Sequence, residues 1–149
     1  QALDGEASVL HMATHVTRKE SGSQAFVALS LRPNGEPDWL SAADIAARRV
    51  RVGLVVLSGC SSGLGEALPG AGLMGLTRAW LAAGAEAVAA SLWPTPDDSG
   101  SLFLSFYRHL KESGTRAEAL ASAQRDMLRG GGWRSLPRYW ASYFLFSKE

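Results

Sequence analysis

VRVGLVVLSGCSSGLGE, residues 50–66, decides the fold. From Gly53 to Leu57 the stretch is apolar without a break and rich in valine. That pattern suits a strand covered on both faces, as in a parallel sheet, so the strand predicted over Val50–Ser58 is expected to be central. A glycine-rich turn follows, and beyond it Leu73, Leu76, Trp80 and Leu81 recur at helical spacing until Gly84. Ala85–Trp93 (AEAVAASLW) then reads as another buried strand. The result is a strand-helix-strand unit, for which a right-handed crossover is the default.

Upstream, residues 7–15 (ASVLHMATH) read as a strand whose carboxyl end carries His15. TRKESGSQ reads as a loop and Ala25–Leu31 as a second strand. Pro33, Asn34-Gly35 and Pro37 signal a turn in a hairpin-like excursion, and Ser41 is the predicted N-cap of a short helix within Leu40–Arg49. Downstream, PTPDD breaks the chain. Phe103, Phe106, Tyr107 and Leu110 stripe a helix running to about Ser113, and Thr115 with Glu118 makes a capping box for a helix that Gly130-Gly131-Gly132 stops. Tyr139–Ser147 ends the chain as an aromatic strand. There is no internal repeat and no low-complexity linker, so residues 1–149 are expected to form a single α/β domain with a mainly parallel sheet.

Composition narrows the function. At 149 residues, 46% hydrophobic and 19% charged, the chain has ordinary globular make-up and enough length for a sizeable core. Fifteen basic against fourteen acidic side chains leave a formal +1, which gives no field to gather nucleic acid or anionic lipid; the run Arg48, Arg49, Arg51 reads as a solvated helix end. The most apolar stretch, Ala79–Trp93, is broken by Glu86 and falls short of the roughly 20 residues of a membrane span. A single cysteine excludes an internal disulfide and suits a reducing, cytoplasmic setting. The opening Gln1-Ala2-Leu3, without Met, predicts a piece of a longer polypeptide.

Ligand sites of such sheets lie beyond the carboxyl ends of the strands. Three strand ends carry polar groups here: His15, Cys60, and Asp97 with Asp98. G-C-S-S-G between a strand and a helix also fits a serine nucleophile elbow with Ser61 attacking, but the only histidine after Ser61 is His109, inside a helix. GAGLMG, Gly70–Gly75, matches the dinucleotide fingerprint in letters. It does not come directly off a strand, and no acidic residue follows at the required distance, so close helix packing explains its glycines more simply. No Lys-Ser/Thr follows the glycines around Cys60, which removes a Walker-type phosphate loop. His11 and His15 would stand about 13 Å apart on a strand, and with no second cysteine a zinc site is not expected. His11 reads as a satisfied core histidine or one supporting the site from behind.

A cysteine nucleophile asks for a base and an electropositive turn. His15 precedes Cys60 by 45 positions, close to the roughly 50 that separate histidine and cysteine in caspase signatures. Free N–H groups at a strand-to-helix turn favour a thiolate, and His15 is suited to take its proton or to protonate a leaving amine. Backbone N–H groups of Cys60 and of the turn after His15 are the candidate oxyanion donors.

HMATH, VVLSGCSSGLGE, GAGLMGLTRAWLAAGAEAVAASLWPTPDD, FYRHL and RYWASYFLF together resemble the catalytic half of a CHAT domain, in the caspase-like and separase-like clan of cysteine peptidases. The resemblance covers nearly the whole chain, and GCSSG is similar to the separase cysteine motif. It implies a caspase-like three-layer sandwich, N-terminally incomplete, and cleavage of peptide bonds in a protein or peptide substrate by His15 and Cys60. Val16, Gly59 and Cys60 would supply the oxyanion backbone, without metal or organic cofactor. Asp97 or Asp98 would face a basic P1 residue. An upstream helical-repeat domain or activating partner is also implied. Two positions depart from the family pattern: Val16 stands where glycine usually follows the histidine, and Gly59 where alanine usually precedes the cysteine. The first, together with the expected absence of the N-terminal part of the domain, motivates an alternative, a catalytically silent CHAT module that acts as an interaction domain.

Overall fold

The structure is a computed structural model that describes residues 6–18, 25–58, 71–93, 95–96 and 100–148. Four strands form the main sheet in the order β1 (Glu6–Met12), β5 (Arg51–Leu57), β6 (Ala87–Ser91), β7 (Tyr143–Ser147). β1, β5 and β6 run parallel and β7 is antiparallel to β6. The expected central strand is therefore β5, hydrogen-bonded on both sides.

Its unbroken apolar run is explained by what covers it. Val55 and Leu57, with Val88 and Ala90 beside them on β6, face one layer; Leu54 and Val56, with Ala87 and Ala89, face the other. The first layer holds α1 (Ala42–Ala46) and α2 (Ala71–Ala83), which contribute Ile45, Leu76 and Trp80. The second holds α3 (Gly100–Ser113) and α4 (Arg116–Arg129), which contribute Leu102, Phe106, Ala119 and Ala123. Burial of each such Val, Leu or Ile contributes about 1.5–3 kcal/mol, and the alanines of β6 let both helical layers approach closely. This is a three-layer α/β sandwich with a mainly parallel sheet.

Between β1 and β5 the chain makes a separate three-stranded antiparallel sheet: β2 (Val16–Arg18), β3 (Ala25–Leu31) and β4 (Pro37–Ser41). Two segments expected as loop and turn are strands here. Val16–Arg18 is too short to show periodicity and is held by pairing with Val27, Phe26 and Ala25. Pro37 opens β4, where a missing N–H is tolerated, after a turn in which Gly35 takes φ +81° and its N–H donates to the Arg32 carbonyl. Ser41 caps α1 as predicted. Its hydroxyl accepts from the Asp44 N–H while the Asp44 carboxylate accepts from the Ser41 N–H.

The C-terminal third departs from expectation in two details. Thr115 occupies the N-cap of α4, but its hydroxyl donates to the Glu118 carboxylate at 2.6 Å and accepts no backbone N–H as a cap. The last strand is shorter than Tyr139–Ser147, because Trp133–Ser135 and Pro137–Tyr139 form 3-10 turns first. Gln124 fastens this segment to α4, its amide donating to the carbonyls of Trp140 and Tyr143. Among the described residues no helix is long and apolar enough to cross a membrane.

Candidate functional site

The site is built where β1 and β5 leave the sheet. Met12 pairs with Leu57, and the Ser58 N–H donates to the Met12 carbonyl at 3.1 Å, which extends the parallel ladder by one more bond. Two segments therefore depart side by side. One reaches His15 three residues after Met12. The other reaches Cys60 two residues after Ser58; Gly59, Cys60 and Ser61 lie outside the described residues.

His15 does not end a strand as expected, because β1 stops at Met12; it sits in the link between β1 and β2. Its carbonyl accepts the Ala28 N–H at 2.9 Å, and the Thr14 hydroxyl donates to the Ala28 carbonyl at 2.6 Å. These bonds pin the link to β3 and leave the His15 residue exposed. Val16 is the first residue of β2, pairs with Val27, and packs its side chain against the sandwich core. No non-glycine residue among those described has positive φ, so the backbone at Val16 does not use the left-handed conformation that would require glycine.

Behind this pair of segments lies a cluster that the sequence only hinted at. His11, on β1, bonds through Nε2 to Ser58 Oγ at 2.7 Å and through Nδ1 to Tyr107 Oη at 2.7 Å. The imidazole stands edge-on to Phe103, with 5.1 Å between centroids and 61° between planes. His11 keeps part of its surface in water, yet this packing desolvates the ring and lowers its pKa. Burial likewise pushes the Tyr107 hydroxyl up to about 12. His11 is thus the satisfied, supporting histidine expected. Ser58 and Tyr107 were not singled out: Tyr107 reads as one more member of an apolar helical stripe, although a half-buried tyrosine hydroxyl normally seeks a partner.

The other sequence-predicted residues divide. Asp97 and Asp98 lie outside the described residues. Just before them, Thr95 is buried at the end of the sheet with its hydroxyl 3.3 Å from Tyr143 Oη. Nearby, Trp93 and Phe144 form an edge-on aromatic pair with centroids 6.4 Å apart. His109, the base that a Ser61 nucleophile would need, faces α4 instead, with Nε2 2.7 Å from Asp126 Oδ2 and Nδ1 3.4 Å from Glu112. It sits nine residues into α3, about 13 Å along the helix from its start. The dinucleotide reading fails structurally too, since Gly72 and Gly75 lie inside α2. The packing explanation for these glycines does not extend to Gly75, which is exposed and where a Cβ would meet nothing within 4 Å. Among the described residues no three His, Cys, Asp or Glu side chains gather as metal ligands.

Comparison with known proteins agrees with this architecture. The model of the CHAT domain family matches residues 1–148. Tetratricopeptide repeat protein 28 of Mus musculus is 36% identical over 111 residues, which cover 74% of this chain and 4% of that protein. The Homo sapiens protein of the same name is 35% identical over 111 residues, with the same coverage of 74% and 4%. The chain therefore spans a small part of the length of these curated relatives.

Proposed function

We propose that this chain, which belongs to the CHAT domain family, is the catalytic portion of a caspase-like cysteine endopeptidase, with Cys60 as nucleophile and His15 as its acid and base. The observation that supports this most is the Ser58 to Met12 backbone bond, which starts the two segments bearing these residues from the adjacent carboxyl ends of two neighbouring strands. In the proposed reaction His15 takes the thiol proton and the thiolate sulfur bonds to the scissile carbonyl carbon. The resulting oxyanion accepts from backbone N–H groups of the Gly59-Cys60 turn and of Val16. Collapse breaks the C–N bond, and the departing amine takes the proton held by His15. Water, deprotonated by His15, then attacks the thioester, releasing the carboxylic acid and restoring the thiol. Metal and cofactor play no part in this scheme, and a reducing compartment would keep Cys60 active.

Asp97 and Asp98 are the proposed acceptors of a basic P1 side chain, and a protein or peptide is the proposed substrate. The curated relatives are named for tetratricopeptide repeats, which favours a helical-repeat region as the partner that presents substrate or relieves inhibition. A second reading, a catalytically silent module used for protein interaction, draws on Val16 in place of the family's usual glycine. The two separate on the full-length protein incubated with peptides of varied P1 residue. Hydrolysis lost in Cys60→Ala and His15→Ala but kept in Ser61→Ala supports the peptidase; loss in Ser61→Ala with retention in His15→Ala sinks it. No hydrolysis together with a Cys60 inert to alkylation selects the interaction module.

A further inference from the structure

Ser58, His11 and Tyr107 come from three different elements, the end of β5, the body of β1 and the middle of α3, and meet in one chain of two 2.7 Å hydrogen bonds. Both ring nitrogens of His11 are engaged, so its orientation is fixed. A neutral imidazole carries one N–H. If Tyr107 donates to Nδ1, then Nε2–H donates to Ser58 Oγ and the Ser58 proton points onward; if Nδ1–H donates to Tyr107, Ser58 donates to Nε2. The two hydroxyls are therefore coupled through the ring although they never touch. The lowered pKa of His11 and the raised one of Tyr107 keep both neutral at pH 7.

Ser58 is consequently held twice, by its N–H on the Met12 carbonyl and by its hydroxyl on His11. An apolar contact would close a strand end at lower cost, because partly buried polar groups lose solvation that only good geometry restores. What this arrangement adds is a fixed Ser58, held by main chain and side chain together where β5 ends. We propose that Tyr107, His11 and Ser58 form a positioning relay for Cys60, fixing Ser58 as the anchor two residues before the nucleophile. The relay rests on the reading of Cys60 as the nucleophile, and none of its three members touches the substrate.

The test uses the full-length protein and a probe that needs no substrate: the rate of Cys60 alkylation by iodoacetamide at pH 7, followed by mass spectrometry of the peptide that contains it. Tyr107→Phe, which keeps the ring, and Ser58→Ala each slow alkylation about tenfold, the scale of a modest misplacement of a reacting atom. Ser58→Thr, which keeps the hydroxyl, holds the native rate. The double variant Tyr107→Phe/Ser58→Ala is no slower than the slower single one, since both break the same chain. Single-variant rates within twofold of native, or effects that multiply in the double variant, overturn the relay. Should Tyr107→Phe fail to fold, the contrast between Ser58→Ala and Ser58→Thr decides. A native protein that cleaves no peptide yet shows the expected alkylation pattern defeats the peptidase reading and leaves the relay standing.

Discussion

A Cβ at Gly84 would lie 2.2 Å from the carbonyl oxygen of Val50. Gly84 ends α2 at φ +126°, and around it Val50 donates to the Ala83 carbonyl and Ala85 to the Trp80 carbonyl. The end of the helix is thus clamped against the start of the central strand. Gly84→Ala is expected to destabilise the domain by more than the roughly 1–3 kcal/mol of the backbone strain alone, because the clash is with main chain that cannot swing away. Urea unfolding measures it. A variant within about 0.5 kcal/mol of native would show that β5 and α2 can separate without cost.

The capping box of α1 predicts a loss of about 1 kcal/mol for Ser41→Ala. It also predicts a pH signature, since the side-chain and backbone hydrogen bonds of Ser41 hold the Asp44 carboxyl below its usual value. A carboxylate with a depressed folded-state pKa stabilises the fold above the unfolded value of about 3.9, and loses that contribution as pH falls through the folded value. Native and Ser41→Ala proteins should therefore differ most above about pH 4, and the difference should shrink in acid to what the Ser41 hydroxyl contributes by accepting the Asp44 N–H. Chemical denaturation at pH 6 and pH 3 tests this.

Asp126 is held low first by the Ser105 hydroxyl and then by His109. The same sign applies: its contribution is present above the ordinary carboxylate range and fades in acid. The carboxylate is substantially solvent-exposed, so Asp126→Asn should lower Tm by only about 2 °C at pH 6, with the gap closing by pH 3. A gap that widens in acid would mean that the α3 to α4 contact does not depend on this carboxylate.

For the proposed specificity groups, replacing Asp97 and Asp98 with asparagine should lower kcat/KM for Arg or Lys at P1 by about thirtyfold or more, the scale of removing one partner of a charge pair. Peptides with a neutral P1 should change little. Equal losses for basic and neutral P1 residues would assign these carboxylates a structural role.

What the sequence revealed follows from how strongly each segment is constrained. Val55 and Val56, with Leu54 and Leu57 around them, declare a doubly covered strand by themselves, and Gly84 marks the end of α2. Ser41 is legible as a cap because capping chemistry is local. Val16–Arg18 and Pro37–Ser41 are strands only because β3 lies between them, and three residues of VTR carry no signal of such pairing. The site divides in the same way. His15 is visible as a polar residue after an apolar run, whereas Ser58 and Tyr107 acquire meaning only when α3 crosses β1 and brings a hydroxyl to each nitrogen of His11. Contacts 47 and 96 residues apart leave no periodic trace.

The order of strands in the main sheet bears on the 45 positions between His15 and Cys60 in the sequence. β1 and β5 are neighbours, and everything between them, from β2 through α1, is an excursion that leaves one strand and returns to the next. The distance between the two strand ends is set by the ladder, not by the length of the detour. Residues added at the Pro33–Gly35 tip would change the count and leave the geometry alone. Removing one residue from β1 would instead turn His11 to the opposite face of the sheet. Spacing along the chain is therefore a poor ruler for this site, and strand register is the good one.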